Sequence, residues 1–386
     1  MIGRKYSSEI KTYFDQKTGH KVIQLTNGES NNYHLYFTEN SFCKGKHEII
    51  FYSDRDSKHG NYNLFSMNLD SGEIIKLTDF DGPISHCIKS PSGKELFCFH
   101  KNYVVRIDRD SLEQKILYEC SPEWKLTSIS LNKSANRIAF ILNEKTEVVS
   151  GANYSGFTER MYGIKRAKIM VTNTSNANTC EIFQDTHQLG HIQFAPDDDT
   201  ILTFCHEGPW NLVHQRIWIL DLISRTAIPC FRQEADDSVG HEFWTHNSLI
   251  FFDNRRAGHD GTITSDKTQL YKPIENKKQI PYIGFADKNG KIIRTVDMPF
   301  YCNHYHANND NSILVGDDVD DLVLISIAKE KAEMKTLCFH GTSWYEQSAH
   351  CHPTFCWEGR YVLWTSDFNG RHNIYMIDTE QISWDT

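Results

Sequence analysis

Apolar residues in this chain gather into short runs bounded by turn residues, a pattern that reads as strands. Two hairpins of one design stand near its ends. Phe51-Tyr52-Ser53-Asp54 with Asn63-Leu64-Phe65-Ser66-Met67 matches Trp364-Thr365-Ser366-Asp367 with Asn373-Ile374-Tyr375-Met376-Ile377. Further β cores fall at Leu96-Phe97, Ile138-Ala139-Phe140, Ile201-Leu202-Thr203-Phe204, Leu249-Ile250-Phe251-Phe252 and Ile313-Leu314-Val315. Most are followed by a second apolar strand, such as Val104–Ile107 or Ile217–Leu220. The steps between cores run from about forty to sixty-five residues, the range of propeller blades carrying loop insertions. Turn signals such as Pro91-Ser92-Gly93 and Ala195-Pro196-Asp197 precede the cores.

Counting the first and last units predicts an all-β, seven-bladed β-propeller. The first unit ends in Glu73-Ile74-Ile75-Lys76-Leu77-Thr78, whereas the last has no equivalent strand after Asp378. A matching segment, Lys21-Val22-Ile23-Gln24-Leu25-Thr26, sits near the N-terminus without a blade of its own. It is expected to complete the C-terminal blade and close the ring, which also protects sheet edges. Residues 1–386 would then form a single propeller domain with no linker. The loop from Arg255 to Lys267, with Gly258, His259 and Gly261, is the insertion expected to be mobile.

Composition narrows the partners. Acidic residues number 50 against 41 basic ones, for a net charge of −9 with the signs interspersed, which argues against nucleic acid held on a basic face. An anionic substrate would need local positive charge from a metal or a few arginines. The eleven cysteines are scattered without a CxxC pair and read as reduced structural thiols. No apolar leader or membrane-length run occurs, so the expected location is the cytoplasm.

The densest chemistry lies in Gln347-Ser348-Ala349-His350-Cys351-His352. On an extended segment His350 and His352 would share one face. Two such imidazoles suit a first-row metal, and the Gln347 amide oxygen a harder ion such as manganese. Taken alone, such a pair is more often solvated or structural. His304 and His306, before the Ile313 core, are candidates for a third ligand. His241, in Gly240-His241-Glu242-Phe243-Trp244, precedes a blade core where entry strands face the central channel, and suits either a general base or a hydrogen-bonded edge residue. The same stretch imitates HExxH, but His246 comes one residue late and the context is β, which excludes the metalloprotease reading. Arg216 is placed either to grip a carboxylate bidentately or to sit at the surface. Neither GxSxG nor GxGxxG occurs.

The order of these elements resembles the oligogalacturonate lyases, a family of propellers related in architecture to the TolB-like proteins. The resemblance spans essentially the whole chain. It rests on Asn31-Asn32 with Leu35-Tyr36-Phe37-Thr38, on His206-Glu207-Gly208-Pro209 and on Gly240-His241-Glu242-Phe243-Trp244. Asn308 with Val315-Gly316-Asp317, Thr342-Ser343-Trp344, and Gln347 to Pro353 followed by Thr365-Ser366-Asp367 complete it. The resemblance implies a divalent metal, usually manganese, on His304, Gln347, His350 and His352, with His241 as the base and Arg216 as a catalytic arginine. It further implies β-elimination on short oligogalacturonides, digalacturonate and its unsaturated form among them, in bacterial pectin catabolism. A lyase for another uronate or glycan, or a non-catalytic binding scaffold, is the alternative expectation. Cys351 stands where relatives often carry proline, the segment between Asp317 and Thr342 looks shortened, and Gly258 to Gln279 looks extended. His306 is the spare ligand should His304 be misplaced.

Overall fold

In a computed structural model, residues 1–57, 59–148, 154–256, 258–271 and 276–384 are described. Seven antiparallel sheets follow one another along the chain, each ordered from an inner strand at the channel to an outer edge. The inner strands are Asn32–His34, Ile84–Lys89, Trp124–Leu131, Leu189–Ala195, Val239–Trp244, Tyr305–Ala307 and Thr354–Phe355. These are the blades of a seven-bladed propeller.

The middle strands are apolar on both faces because each is pressed between two neighbours. Ile49, Ile50 and Phe51 are all fully buried, for instance, although successive strand residues point to opposite faces. The core is accordingly a ring of seven clusters, one at each blade junction. Leu35, Ile50 and Leu64 of the first blade meet Ile84, Leu96 and Val105 of the second. Around the ring, Phe51 and Phe65 of the first blade meet Leu25, Leu363 and Ile374 of the last.

Closure takes the form the sequence predicts. Lys21–Gln24 pairs antiparallel with Asn373–Asp378, in the register Val22 to Ile377 and Gln24 to Tyr375. Two further N-terminal strands are not expected from the pattern: Lys11–Phe14 adds outside Lys21–Gln24, and Lys5–Tyr6 pairs with Ile74–Lys76 on the first blade. Both are short edge strands, too polar to announce themselves by apolar periodicity. The fully buried Val22 side chain packs with Leu337 and Tyr375 at the junction of the last two blades. Val22→Asp is therefore expected to cost about 3 kcal/mol or more, read as a fall in the denaturant midpoint.

Two features position the site. Residues after the first inner strand reach across the channel, so that Phe37 joins the cluster between the fifth and sixth blades and contacts the rings of His241, His304 and His352. The loop expected to be mobile is instead pinned at its start. Arg255 donates to the carbonyl oxygens of Thr262 and Asn303 and lies over the rings of Trp210 and Tyr301.

Candidate metal centre and active site

His304, His350 and His352 converge at the channel, with one donor atom of each within 4.8 Å of the others. Their ring centroids lie 4.3 to 5.6 Å apart, and all three side chains are buried. His304 is held by Asp317 from the next strand: its backbone N–H and its Nδ1–H donate to the two carboxylate oxygens, at 2.5 and 2.8 Å. That leaves Nε2 as its free nitrogen, the orientation that a carboxylate behind a ligating histidine imposes.

Strand alternation is not what brings His350 and His352 together. Gln347–Ala349 forms a short 3₁₀ turn, and His352 takes a left-handed backbone with φ of 45°. Its carbonyl oxygen accepts from Nε2–H of His34, whose Nδ1 meets the Thr365 hydroxyl at 2.6 Å. His350 packs on Trp344, whose indole N–H donates to Val319. Thr342 and Ser343 both bond to Asp367, tying the Thr342-Ser343-Trp344 stretch to Thr365-Ser366-Asp367.

The donor set fits a divalent metal on its own chemistry. Nδ1 of His350 and Nε2 of His352 are buried without a hydrogen-bond partner among the described residues. Such orphaned nitrogens carry a cost unless something accepts their lone pairs. Burial holds His350 down to about 3 and His304 and His352 well below their ordinary value, reinforced by the neighbouring imidazoles, so all three present neutral, ligating rings. Gln347 stands in the turn leading to them, but its side chain lies outside the described residues. His306, the spare candidate, is committed elsewhere: Phe355 N–H donates to its Nδ1, and its ring stacks on Phe243.

His241 stands beside this cluster, its ring 4.9 Å from that of His304 and edge-on to Trp210 at the same distance. Nδ1 lies 3.5 Å from Asp253 and makes no hydrogen bond. Burial, with Arg255 next, holds its imidazole well below the ordinary value. Arg216 is buried between two carboxylates: Nε lies 3.3 Å from Glu242 and a terminal nitrogen 3.6 Å from Glu207. Its guanidinium also lies over the Trp210 ring. The Glu242 of the apparent HExxH is thus an arginine partner on a strand.

A second histidine on this side, not singled out from the sequence, completes it. His191 places Nε2 3.2 Å from Glu207 and Nδ1 3.6 Å from Glu242. It repeats the geometry of His241. Each sits in a bulge of its blade's inner strand, where pairing slips between Gly190 and Gln193 and between Gly240 and Phe243, with φ of 48° and 45°. The bulge re-aims the side chain from the blade into the channel, at a backbone cost of about 1 kcal/mol or more each. The preceding glycines make room for site residues. A Cβ on Gly190 would meet Glu207 at 2.5 Å, and one on Gly240 would meet the Trp210 ring at 2.0 Å. The repeated Gly-His ahead of a blade core was the available signal.

Together these side chains line one cavity of about 980 Å³. Asp185, His187 and His206 also bring donor atoms within 4.8 Å of each other, but Asp185 bonds both rings at 2.9 and 3.0 Å.

The model of the oligogalacturonate lyase family matches residues 1–382 of this chain. The oligogalacturonate lyase of Dickeya dadantii and the oligogalacturonide lyase of Pectobacterium atrosepticum are each 24% identical to it, with 99% of both chains covered. Among solved structures, an oligogalacturonate lyase in complex with manganese superposes with a TM-score of 0.83 at 22% identity, covering 98% of both chains. The oligogalacturonate lyase of Vibrio parahaemolyticus does so at 0.84 and 24%, again over 98% of both. Fold and family together define a polysaccharide lyase built on a seven-bladed propeller, which sets aside the non-catalytic scaffold. The chain belongs to the oligogalacturonate lyase family.

Proposed function

We propose that this protein is a manganese-dependent lyase that cleaves short galacturonides, digalacturonate and its unsaturated form, by β-elimination in the cytoplasm. The observation that carries the reading is the trio of buried imidazoles with unsatisfied nitrogens opening onto the cavity that holds His241.

Elimination removes the C5 proton of a uronate, which builds negative charge beside a group already anionic. Manganese on His304, His350 and His352, with Gln347, would supply a Lewis acid to the carboxylate and favour that charge. His241 is the base, since its ring adjoins the cluster without belonging to it and lines the cavity. Arg216 lines the cavity and orients a substrate carboxylate, while Glu207 and Glu242 keep its charge balanced until one arrives. Phe37, fully buried, packs against the rings of His304 and His352 and supports them from the core. Eleven unpaired thiols accord with a reducing compartment, and among the described residues no helix is long and apolar enough to cross a membrane.

The test mixes EDTA-stripped protein with digalacturonate, with and without manganese, and follows products by mass. Manganese-dependent release of a 4,5-unsaturated uronate or its keto form is the expected result, and intact substrate with metal bound would contradict it. Asp317→Asn is expected to weaken manganese by about 10–100-fold in calorimetric titration. An amide has one accepting oxygen where His304 requires two.

A further inference from the structure

Cleavage needs a second proton transfer that the base does not supply. As His241 takes the C5 hydrogen, the electron pair forms the C4–C5 double bond and the C4–O bond breaks toward oxygen. That oxygen, the anomeric hydroxyl of the preceding sugar, is a poor leaving group as an anion. In a galacturonide the C5 hydrogen and the C4 oxygen lie on opposite faces of the ring, so the proton must come from a group other than the base. This step rests on the galacturonide reading above.

The geometry points to His191 as the general acid, delivering its Nε2 proton to the departing oxygen. It occupies on the fourth blade the bulge position that His241 occupies on the fifth, aimed into the same cavity. Its Nδ1 is buried, so Nε2 is the nitrogen that can reach substrate. Both nitrogens lie near carboxylates, Nε2 by Glu207 and Nδ1 by Glu242. Burial alone would lower the imidazole, but Glu242 and Glu207 outweigh it and hold His191 above its ordinary value, with Arg216 opposing. Among the described residues, the groups that also face it include Tyr36, His86 from the second blade, His241, and Cys205, whose thiol bonds Glu207. After turnover His241 has gained one proton and His191 has lost one, and exchange with solvent restores both.

The assignment is tested by comparing digalacturonate with a galacturonide carrying 4-nitrophenoxide at C4, which departs without a proton. His191→Asn is expected to lose about 10²–10⁴-fold in kcat on the sugar leaving group, with manganese content unchanged, and less than about tenfold on the nitrophenoxide. Glu207→Gln supplies an independent variant that keeps the imidazole. The acid form is lost as pH rises through the folded pKa, so removing one supporting carboxylate moves the alkaline limb of kcat to lower pH with digalacturonate only. Equal loss on both substrates, or an alkaline limb that does not move, overturns the role of His191 while wild-type cleavage stands. Wild-type protein that cleaves neither substrate overturns the galacturonide reading and this proposal with it.

Discussion

His350→Ala is expected to abolish metal binding and activity together. Its Nδ1 is a buried, unbonded donor of a three-imidazole set, and alanine puts nothing in its place. Partners standing behind a ligand are already worth about 10–100-fold in affinity, so losing a ligand is expected to cost more than about 100-fold. The fold should survive, because the turn that carries His350 is held separately by the bond from Thr342 to Ala349 and by the Asp367 contacts. Metal content by mass spectrometry and turnover on digalacturonate should therefore fall together while the unfolding midpoint stays within a few degrees. A variant that keeps its metal would remove His350 from the site.

The second large effect separates the base from the metal. His241→Ala should retain manganese at wild-type stoichiometry and lose about 10²–10⁴-fold in kcat. The reason is positional: its ring touches His304 but its Nδ1 faces Asp253, away from the shared donors. The backbone at His241 is already left-handed in the wild type, so alanine there adds little strain. Metal content and kcat of the purified variant distinguish the roles, since a ligand would lose both and a base only the second.

The fold was legible because blade junctions impose a strong pattern. Middle strands squeezed on both sides must be apolar throughout, so runs such as Leu249-Ile250-Phe251-Phe252 stand out, and the orphan segment at Val22 could be matched to the missing outer strand. The two polar edge strands at Lys5–Tyr6 and Lys11–Phe14 left no such trace. Within the site, His304, His350 and His352 were named from the sequence and the resemblance, and they converge. His350 and His352 do not meet by strand alternation, because a turn and a left-handed residue bring them together. His191 does not stand out in the sequence because its bulge is a backbone event. Nothing in the alternation of Leu189-Gly190-His191-Ile192 says that pairing slips there and turns the ring into the channel. Glu207 and Glu242 carry no sequence signal of their own, since the ion pairs that join them to Arg216 link separate strands and segments of the fold.

The proposed function stands on a divalent metal seated among the three channel imidazoles and facing the cavity that contains His241. The most direct measurement is anomalous X-ray scattering at the manganese edge from crystals grown with the metal. One strong peak bonded to nitrogens of His304, His350 and His352 is the expected result. A peak among Asp185, His187 and His206 instead, or none in the channel at saturating manganese, would contradict it.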